Sequence, residues 1–318
     1  MAVHLGPVSP LPSGPGVLTE VAAGIDALYL SGRTVVPSAL LDRLQAAKAE
    51  ATELGSAMAM EFGGEVFQVG ARGWGNYAYR LDSSDAVLGV TGSEALPSLR
   101  FQPRAEVLHS LGPATAVEMF RDICEAEVGH VEISVSRVDL FMDVQGWELC
   151  WEMIDRFVCR ARSDDGHRRN RECTGFGFGF RKGSKPPFAA RIYDKTAEIA
   201  VHGNDYWFDV WGPRLDPTRP VHRIEFQVER AGLRSMQRNT SEDVFEAVGD
   251  LWRYLTHDWL TYRTPTADQT RARWPMAPEW QDIQAASLMQ RQVGLTRLRE
   301  GARSGGWRPM GWCRSTSA

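Results

Sequence analysis

Alternating apolar and polar residues predict β-strands along much of the chain. The clearest run, 131–144, places Arg137, Asp139, Phe141 and Asp143 on one face of a strand. Further runs predict strands at 16–30, 65–69, 77–81, 87–90, 99–102, 176–180, 188–193 and 221–228. Short turn sequences separate the early strands, with one turn expected at 31–33, and this arrangement is typical of an antiparallel meander.

Apolar residues at helical spacing predict helices at 37–54, 113–128, 149–159, 194–202 and 279–300. From Ser241, a plausible helix N-cap, the chain is predicted to be largely helical, whereas 162–171 is predicted to be a polar loop. These elements predict an α+β fold, with a largely antiparallel central sheet flanked by helices and a helical C-terminal part. We expect a disordered segment at 1–15, a main domain at 16–264 and a basic helical extension at 265–318.

The charge distribution changes this picture locally. The net charge of the chain is −4, yet residues 156–195 contain eleven Lys and Arg against four Asp and Glu. A basic window in an acidic protein indicates a phosphate-binding site, and a solvated mobile loop is the alternative. The candidate DNA-binding cations in this window are Arg168, Arg169, Arg171, Arg181 and Lys182.

Several classes of protein are disfavoured by what the sequence lacks. No apolar run is long enough to span a membrane, and the first fifteen residues do not resemble a signal peptide. Five cysteines without a CxxC pair argue against a disulfide framework or a zinc site and suit a reducing cytoplasm, where we expect the protein to be located. No P-loop and no histidine pair is present, which disfavours an ATP motor and a histidine metal site.

Three acidic residues are candidate metal ligands. Asp139 and Asp143 share one face of the strand at 131–144, and Glu225 lies in a second apolar strand. Carboxylates on a core face would repel each other, and a divalent cation relieves that repulsion, with Mg²⁺ or Mn²⁺ favoured by oxygen ligands. The alternative is structural: Asp139 pairs with Arg137 or Arg223, and Asp143 only ends the strand.

Tyr193 is the candidate nucleophile. It ends the strand at 188–193, with Arg191 two residues before it and Lys195 two residues after it. Neighbouring cations favour a phenolate and would also neutralise a phosphate. The alternative is a core tyrosine whose hydroxyl reaches the surface.

The order of these segments resembles a known family. Residues 137–143, the Gly/Phe segment 176–180, residues 191–195 and residues 223–226 follow the order of motifs in the Rep_trans replication initiation factor family. That family comprises rolling-circle plasmid initiators and related relaxases of integrative elements. The resemblance covers roughly residues 60–260, and Gln227 stands where some members carry a second glutamate.

The resemblance implies that 16–264 is a replication initiator domain that nicks and rejoins DNA. Tyr193 would form a 5′-phosphotyrosyl link and free a 3′-hydroxyl, with Asp139, Asp143 and Glu225 holding Mg²⁺ or Mn²⁺. Arg223 joins the expected DNA-binding residues. The implied partners are origin DNA, double- and single-stranded, a second copy of the chain, and a host helicase and polymerase. The alternatives are a non-catalytic origin-binding regulator and a metal-dependent phosphodiesterase.

Overall fold

The computed structural model describes residues 18–169, 172–180, 183, 185–286 and 288. The strands are β1 (Thr19–Arg33), β2 (Met58–Phe62), β3 (Glu65–Val69), β4 (Tyr79–Asp82), β5 (Ala86–Val90), β6 (Leu99–Pro103), β7 (Glu132–Gln145), β8 (Phe157–Cys159), β9 (Asp164–Arg169), β10 (Glu172–Phe178), β11 (Phe188–Asp194), β12 (His222–Glu229) and β13 (Leu260–Tyr262).

The α-helices are α1 (Ser38–Leu54), α2 (Ala105–Leu111), α3 (Pro113–Val128), α4 (Lys195–His202), α5 (Tyr206–Trp211), α6 (Arg230–Ser235), α7 (Ser241–Glu246), α8 (Val248–Tyr254) and α9 (Pro278–Gln284). A π-helical turn follows α8 at Leu255–Trp259, and short 3-10 helices lie at Trp151–Arg156, Gly212–Arg214 and Arg271–Arg273. The predicted α+β class with a large antiparallel sheet is therefore confirmed.

The chain divides into two compact units that are interleaved in sequence. Unit 1 comprises Phe141–Phe226 with the described residues of Met1–Gly24 and Val248–Arg291, and unit 2 comprises Ile25–Leu140 and Gln227–Ala247. Strands β1, β7 and β12 therefore contribute residues to both units.

In unit 2 the strands β2, β3, β4, β5, β6, β1 and β7 are neighbours in that order. Strand pairing from β2 to β6 and between β6 and β1 is antiparallel, and α1 packs against β2, β3 and β4. Phe101 of β6 stacks on Phe120 of α3 with ring centroids 4.7 Å apart, which covers one face of the sheet with helix.

In unit 1 the strands β7, β12, β11, β10 and β9 are neighbours in that order, and β13 pairs with β8 in a small second sheet. Phe157 of β8 is the centre of a buried aromatic cluster. Its ring lies within 6.4 Å of the rings of Trp147, Phe176, Phe178, Tyr262 and Trp280. This cluster fixes β10 against the small sheet.

Several predictions were wrong in physically informative ways. The helix predicted at 149–159 is a short 3-10 turn followed by β8, because Phe157 is recruited into the aromatic cluster and its backbone pairs with Tyr262. The loop predicted at 162–171 contains β9, an edge strand, and edge strands are commonly polar. Strand β1 also continues through the turn expected at 31–33.

Other differences lie at the ends of elements and in short ones. Thr240 is the N-cap of α7, not Ser241, and Leu260 begins a strand instead of continuing a helix. Strand β2 and helices α2, α5 and α6 were not predicted. The predictions for 1–15 and for the tail beyond residue 288 lie outside the described residues.

Candidate active site

The backbone of Tyr193 is fixed on both sides. Tyr193 is the penultimate residue of β11, and the next residue, Asp194, caps α4 by accepting a hydrogen bond from the Ala197 amide at 2.8 Å. The Lys195 amide donates to the Val221 carbonyl at 2.8 Å, which ties the start of α4 to the chain before β12. A strand end followed at once by a capped helix leaves the tyrosine little backbone freedom.

Gly175 makes room for Tyr193 on the neighbouring strand. The two residues lie opposite each other in the antiparallel pair β10–β11. A Cβ atom added at Gly175 would lie 2.4 Å from the Ile192 carbonyl oxygen and 2.9 Å from the Tyr193 Cβ. Gly175 therefore allows β11 to pass this close at Tyr193, and Gly179 does the same near the start of β11, where an added Cβ would lie 2.9 Å from the Phe188 carbonyl oxygen.

Gly175→Ala is expected to destabilise the fold by about 1–3 kcal/mol, because the clash is with backbone that cannot rotate away. The matched control is Gly249→Ala in α8, where an added Cβ meets nothing within 4 Å. There we expect no loss, or a gain of roughly 0.5–1 kcal/mol from helix propensity. Urea unfolding monitored by circular dichroism measures both, and equal stabilities for the two variants would contradict the close approach.

The hydroxyl of Tyr193 is held by a carboxylate. It donates a hydrogen bond to Oε2 of Glu225 at 3.1 Å, and Glu225 is buried in β12 while Tyr193 is half-buried. The other oxygen, Oε1, lies 3.9 Å from a guanidinium nitrogen of Arg191, whose side chain is 46% exposed. Phenol, carboxylate and guanidinium therefore form one polar cluster that reaches solvent through Arg191.

Lys195 has a different position from the one expected. Its ammonium is buried, pairs with Glu198 at 2.7 Å and lies 5.8 Å from the centroid of the Tyr193 ring and 4.9 Å from that of Trp207. It therefore faces the ring of the tyrosine and is already neutralised by an acid. Arg191, the cation that precedes Tyr193 in sequence, approaches the carboxylate bound to the phenol.

Asp143 and Arg223 form a fully buried ion pair. Both oxygens of Asp143 accept hydrogen bonds from Arg223, at 2.7 and 2.8 Å, and the Trp211 indole donates to one of them at 2.8 Å. The guanidinium lies 3.8 Å from the ring centroid of Trp207 and 4.2 Å from that of Phe141. Arg223 was predicted to bind DNA, and its complete burial contradicts that prediction.

The three predicted metal ligands do not form one ligand set. Residues on a strand advance about 3.3 Å each, so Asp139 and Asp143 lie about 13 Å apart along β7, whereas Mg²⁺ holds its oxygens at about 2.1 Å. Arg137 donates to Asp139 at 2.7 Å, and Asp143 is engaged by Arg223. Across the described residues, no three His, Cys, Asp or Glu side chains are placed to hold a metal ion. The use of Mg²⁺ or Mn²⁺ stays a prediction without an assembled site.

The expected DNA-binding cations are only partly described. Arg168 and Arg169 belong to the edge strand β9, where they lie opposite Cys173 and Glu172 in the register with β10. Arg171, Arg181 and Lys182 lie outside the described residues. The basic window 156–195 contains strands β8 to β11, and its role in binding DNA stays a prediction.

The residues that support the buried ion pair were not predicted from the sequence. Trp207 and Trp211 both belong to α5, a six-residue helix. The signal was a concentration of large aromatic residues at 206–211, which predicts a buried segment but not its partner.

His222, the first residue of β12, is a buried titratable group beside the site. Burial lowers the pKa of its imidazole from the usual 6.5, and the carboxylates of Asp194 and Glu148 oppose this shift. Its Nδ1 has no hydrogen-bond partner among the described residues. The folded protein therefore favours the neutral ring.

This shift predicts that the free energy of unfolding falls as the pH drops below 6.5. In that range the unfolded chain binds a proton at this residue that the folded chain does not bind. We expect His222→Gln to reduce the dependence of the free energy of unfolding on pH below 6.5, with the exposed His167→Gln as the control. Urea unfolding across this range measures the slopes, and a slope unchanged by His222→Gln would contradict the assignment.

Within the part of the chain that the structure describes, no helix combines the length and the apolar character needed to cross a membrane.

Comparisons with known proteins give distant similarities. No family model matches the chain, so membership of the family that its motifs resemble stays a prediction. The chain is 24% identical over 218 residues to the uncharacterized protein ORF430 of Pseudomonas phage Pf1, an alignment covering 60% of this chain and 51% of the phage protein. The chain thus spans about half the length of that relative. A solved structure of a rolling circle replication initiator protein from Geobacillus stearothermophilus is similar with a TM-score of 0.47 and 13% identity, covering 83% of this chain and 96% of the other.

Proposed function

We propose that this chain nicks and rejoins one strand of DNA at an origin of replication or transfer, with Tyr193 as the nucleophile. The observation that carries the proposal is the hydrogen bond from the half-buried Tyr193 phenol to the buried Glu225 carboxylate. A carboxylate in this position can accept the phenol proton as the oxygen attacks phosphorus. The sequence resemblance to rolling-circle initiators supports the choice of DNA as the substrate.

Arg191 supplies the charge that the reaction requires. Its exposed guanidinium lies beside Glu225, so a phosphate that approaches the Tyr193 oxygen meets a cation on the solvent side. Charge-assisted hydrogen bonds from a guanidinium stabilise the negative charge on phosphate oxygens in the transition state.

The bonds and protons balance without a further reactant. The Tyr193 oxygen forms a bond to phosphorus, the bond from phosphorus to the 3′-oxygen breaks, and the proton accepted by Glu225 passes to that oxygen. The products are a 5′-phosphotyrosyl link and a free 3′-hydroxyl, which a host polymerase extends beside a host helicase. The reverse reaction rejoins the strand without ATP. The scheme contains no metal step, because the predicted ligands are not assembled.

Capture of a covalent adduct tests the proposal without knowledge of the origin. The protein is incubated with random-sequence DNA, as single strands and as inserts in supercoiled plasmids, in Mg²⁺, Mn²⁺ or EDTA. We expect adducts that survive denaturation in detergent and that are enriched in one sequence. Sequence-selective binding without an adduct would indicate a regulator, and hydrolysis of bis(p-nitrophenyl) phosphate without an adduct would indicate a phosphodiesterase. Either result contradicts the proposal.

The variant Glu225→Gln tests whether Glu225 acts as a general base or as a metal ligand. An amide can still accept the Tyr193 hydrogen bond but cannot take its proton, so we expect adduct formation to slow by roughly 10²–10⁴. If Glu225 only held a metal ion, raising the Mn²⁺ concentration would restore the rate. The measurement is the adduct rate across a Mn²⁺ titration, and metal rescue would contradict the assignment as a base.

A non-catalytic DNA-binding regulator is the second candidate. One observation favours it: the three acids expected to bind a metal ion are separated or engaged by arginines within the described residues. Such a protein would retain the fold and bind DNA, yet would give no adduct in the capture experiment.

A further inference from the structure

Unit 2 contains a basic groove that the proposed reaction does not use. Its volume is about 350 Å³, and it lies against β1, β7 and α6. Its main polar lining residues are Ser31, Arg33, Ser134, Ser136, Arg230 and Arg234.

The arginines give this groove a net positive charge. Arg33 and Arg234 are exposed, while Arg230 is half-buried and donates to two backbone carbonyls, one of them that of Asn239 at 3.2 Å. Burial and the neighbouring Arg234 lower the pKa of the Arg230 guanidinium, as expected where cations gather. Among the described residues that line the groove, Glu132 is the one acid, so three guanidiniums face one carboxylate there. An anion would relieve this excess of positive charge.

A row of rings and guanidiniums continues the groove along the same face of the sheet. Ser31 lies opposite Arg100 in the antiparallel pair of β1 and β6, so both side chains point to one face. Tyr29 and Arg33 precede and follow Ser31 by two residues and share that face. The groove and the row therefore form one polar surface, which we call the β1 track and define by Tyr29, Ser31, Arg33, Trp74, Arg100, Arg230 and Arg234.

Contacts within the row hold its side chains in place. The Arg100 guanidinium lies 4.1 Å from the ring centroid of Trp74 and 5.1 Å from that of Tyr29. Arg137 lies 4.9 Å from the same Tyr29 centroid on the β7 side. An added Cβ at Gly89 would lie 3.1 Å from the Trp74 ring, so the ring rests on bare backbone of β5.

We infer that the β1 track binds a single strand of DNA, with its phosphates in the arginine groove and an unpaired base against Trp74 and Arg100. The inference rests on the proposed function only for the identity of the polymer. Guanidiniums and serine hydroxyls are the groups that bind phosphate oxygens, and aromatic rings with arginine provide stacking surfaces for unstacked bases.

A single strand fits this surface better than a duplex does. A groove of about 350 Å³ admits one sugar–phosphate backbone. Rings beside it can contact a base only when that base is not already paired and stacked in a helix. An enzyme that nicks one strand meets such a substrate wherever the origin is melted.

Fluorescence anisotropy with a labelled oligo(dT) strand and a hairpin duplex of equal length tests the inference. Full-length protein carrying Tyr193→Phe is used, so that no cleavage intervenes.

The double variant Arg33→Ala with Arg234→Ala is expected to weaken oligo(dT) binding at least tenfold. It should also reduce the magnitude of the slope of log K against log salt by about 1.4, at about 0.7 per phosphate contact. Trp74→Ala is expected to weaken binding roughly tenfold and leave the slope unchanged. Arg43→Ala is the matched control, because Arg43 is an exposed unit 2 arginine that pairs with Glu127 at 2.6 Å.

The outcomes separate this inference from the proposed function. Oligo(dT) affinity unchanged by the double arginine variant, or tighter binding of the duplex than of oligo(dT), would each contradict the inference that the β1 track binds a single strand. The loss of oligo(dT) affinity expected for the double arginine variant does not depend on Trp74. It can therefore be measured even if Trp74→Ala fails to fold. If wild-type protein forms no adduct in the capture experiment while the arginine and tryptophan effects are found, the nicking proposal fails and the track stands.

Discussion

Replacing Tyr193 with phenylalanine is expected to abolish covalent attachment to DNA, a loss of at least about three orders of magnitude in adduct formation. The variant keeps the ring that Gly175 accommodates and loses only the oxygen that donates to Glu225. Binding of the same DNA should persist, because Arg191 and the β1 track do not depend on that oxygen. Electrophoresis in detergent measures the adduct, and filter retention measures binding.

The control for this prediction is Tyr254→Phe. Tyr254 also lies in unit 1, at the end of α8, and its ring packs against Phe188 with centroids 5.5 Å apart. We expect full adduct formation from this variant. An adduct of normal yield from Tyr193→Phe would show that another group attacks the phosphate.

Arg223→Leu is expected to reduce the free energy of unfolding by about 3–5 kcal/mol, the largest effect on stability that we predict. The substitution leaves the fully buried Asp143 carboxylate with the Trp211 indole and without its two guanidinium hydrogen bonds. A buried charge that has lost its partner keeps the cost of desolvation and loses the attraction that offset it. Urea unfolding followed by tryptophan fluorescence measures the change.

Two further variants identify the origin of that loss. Combining Arg223→Leu with Asp143→Leu removes both charges and should recover part of the stability, since a buried pair replaced by apolar groups is often close to neutral. Arg43→Ala removes an ion pair whose arginine side chain is 52% exposed, and it should cost less than about 1 kcal/mol. A loss below about 1 kcal/mol for Arg223→Leu would contradict the structural role of the pair.

Local periodicity predicted the elements that carry the site. The strand predicted at 131–144 is Glu132–Gln145, and the strand predicted at 188–193 is Phe188–Asp194. These elements were predictable because alternation over many residues is a property of the segment itself. The structure of segment 149–159 was not predictable in this way, because Phe157 packs against the rings of Tyr262 and Trp280, which are distant in sequence.

The sequence predicted which residues form the candidate site better than it predicted how they contact one another. Tyr193, Arg191 and Glu225 come together, although the sequence could not indicate that Glu225 would bind the phenol. A period of two places Asp139 and Asp143 on one face, but it does not show that they are too far apart to share an ion. It also could not distinguish an arginine that binds DNA from Arg223, which neutralises Asp143 in the core.

Mass spectrometry of the tryptic peptides from captured adducts tests the central claim most directly. Trypsin cleaves after Arg191 and Lys195, so the expected DNA-linked peptide is residues 192–195, in which Tyr193 is the only tyrosine. We predict that this peptide carries the nucleotide through its phenol oxygen. A nucleotide linked to any other peptide would contradict the account.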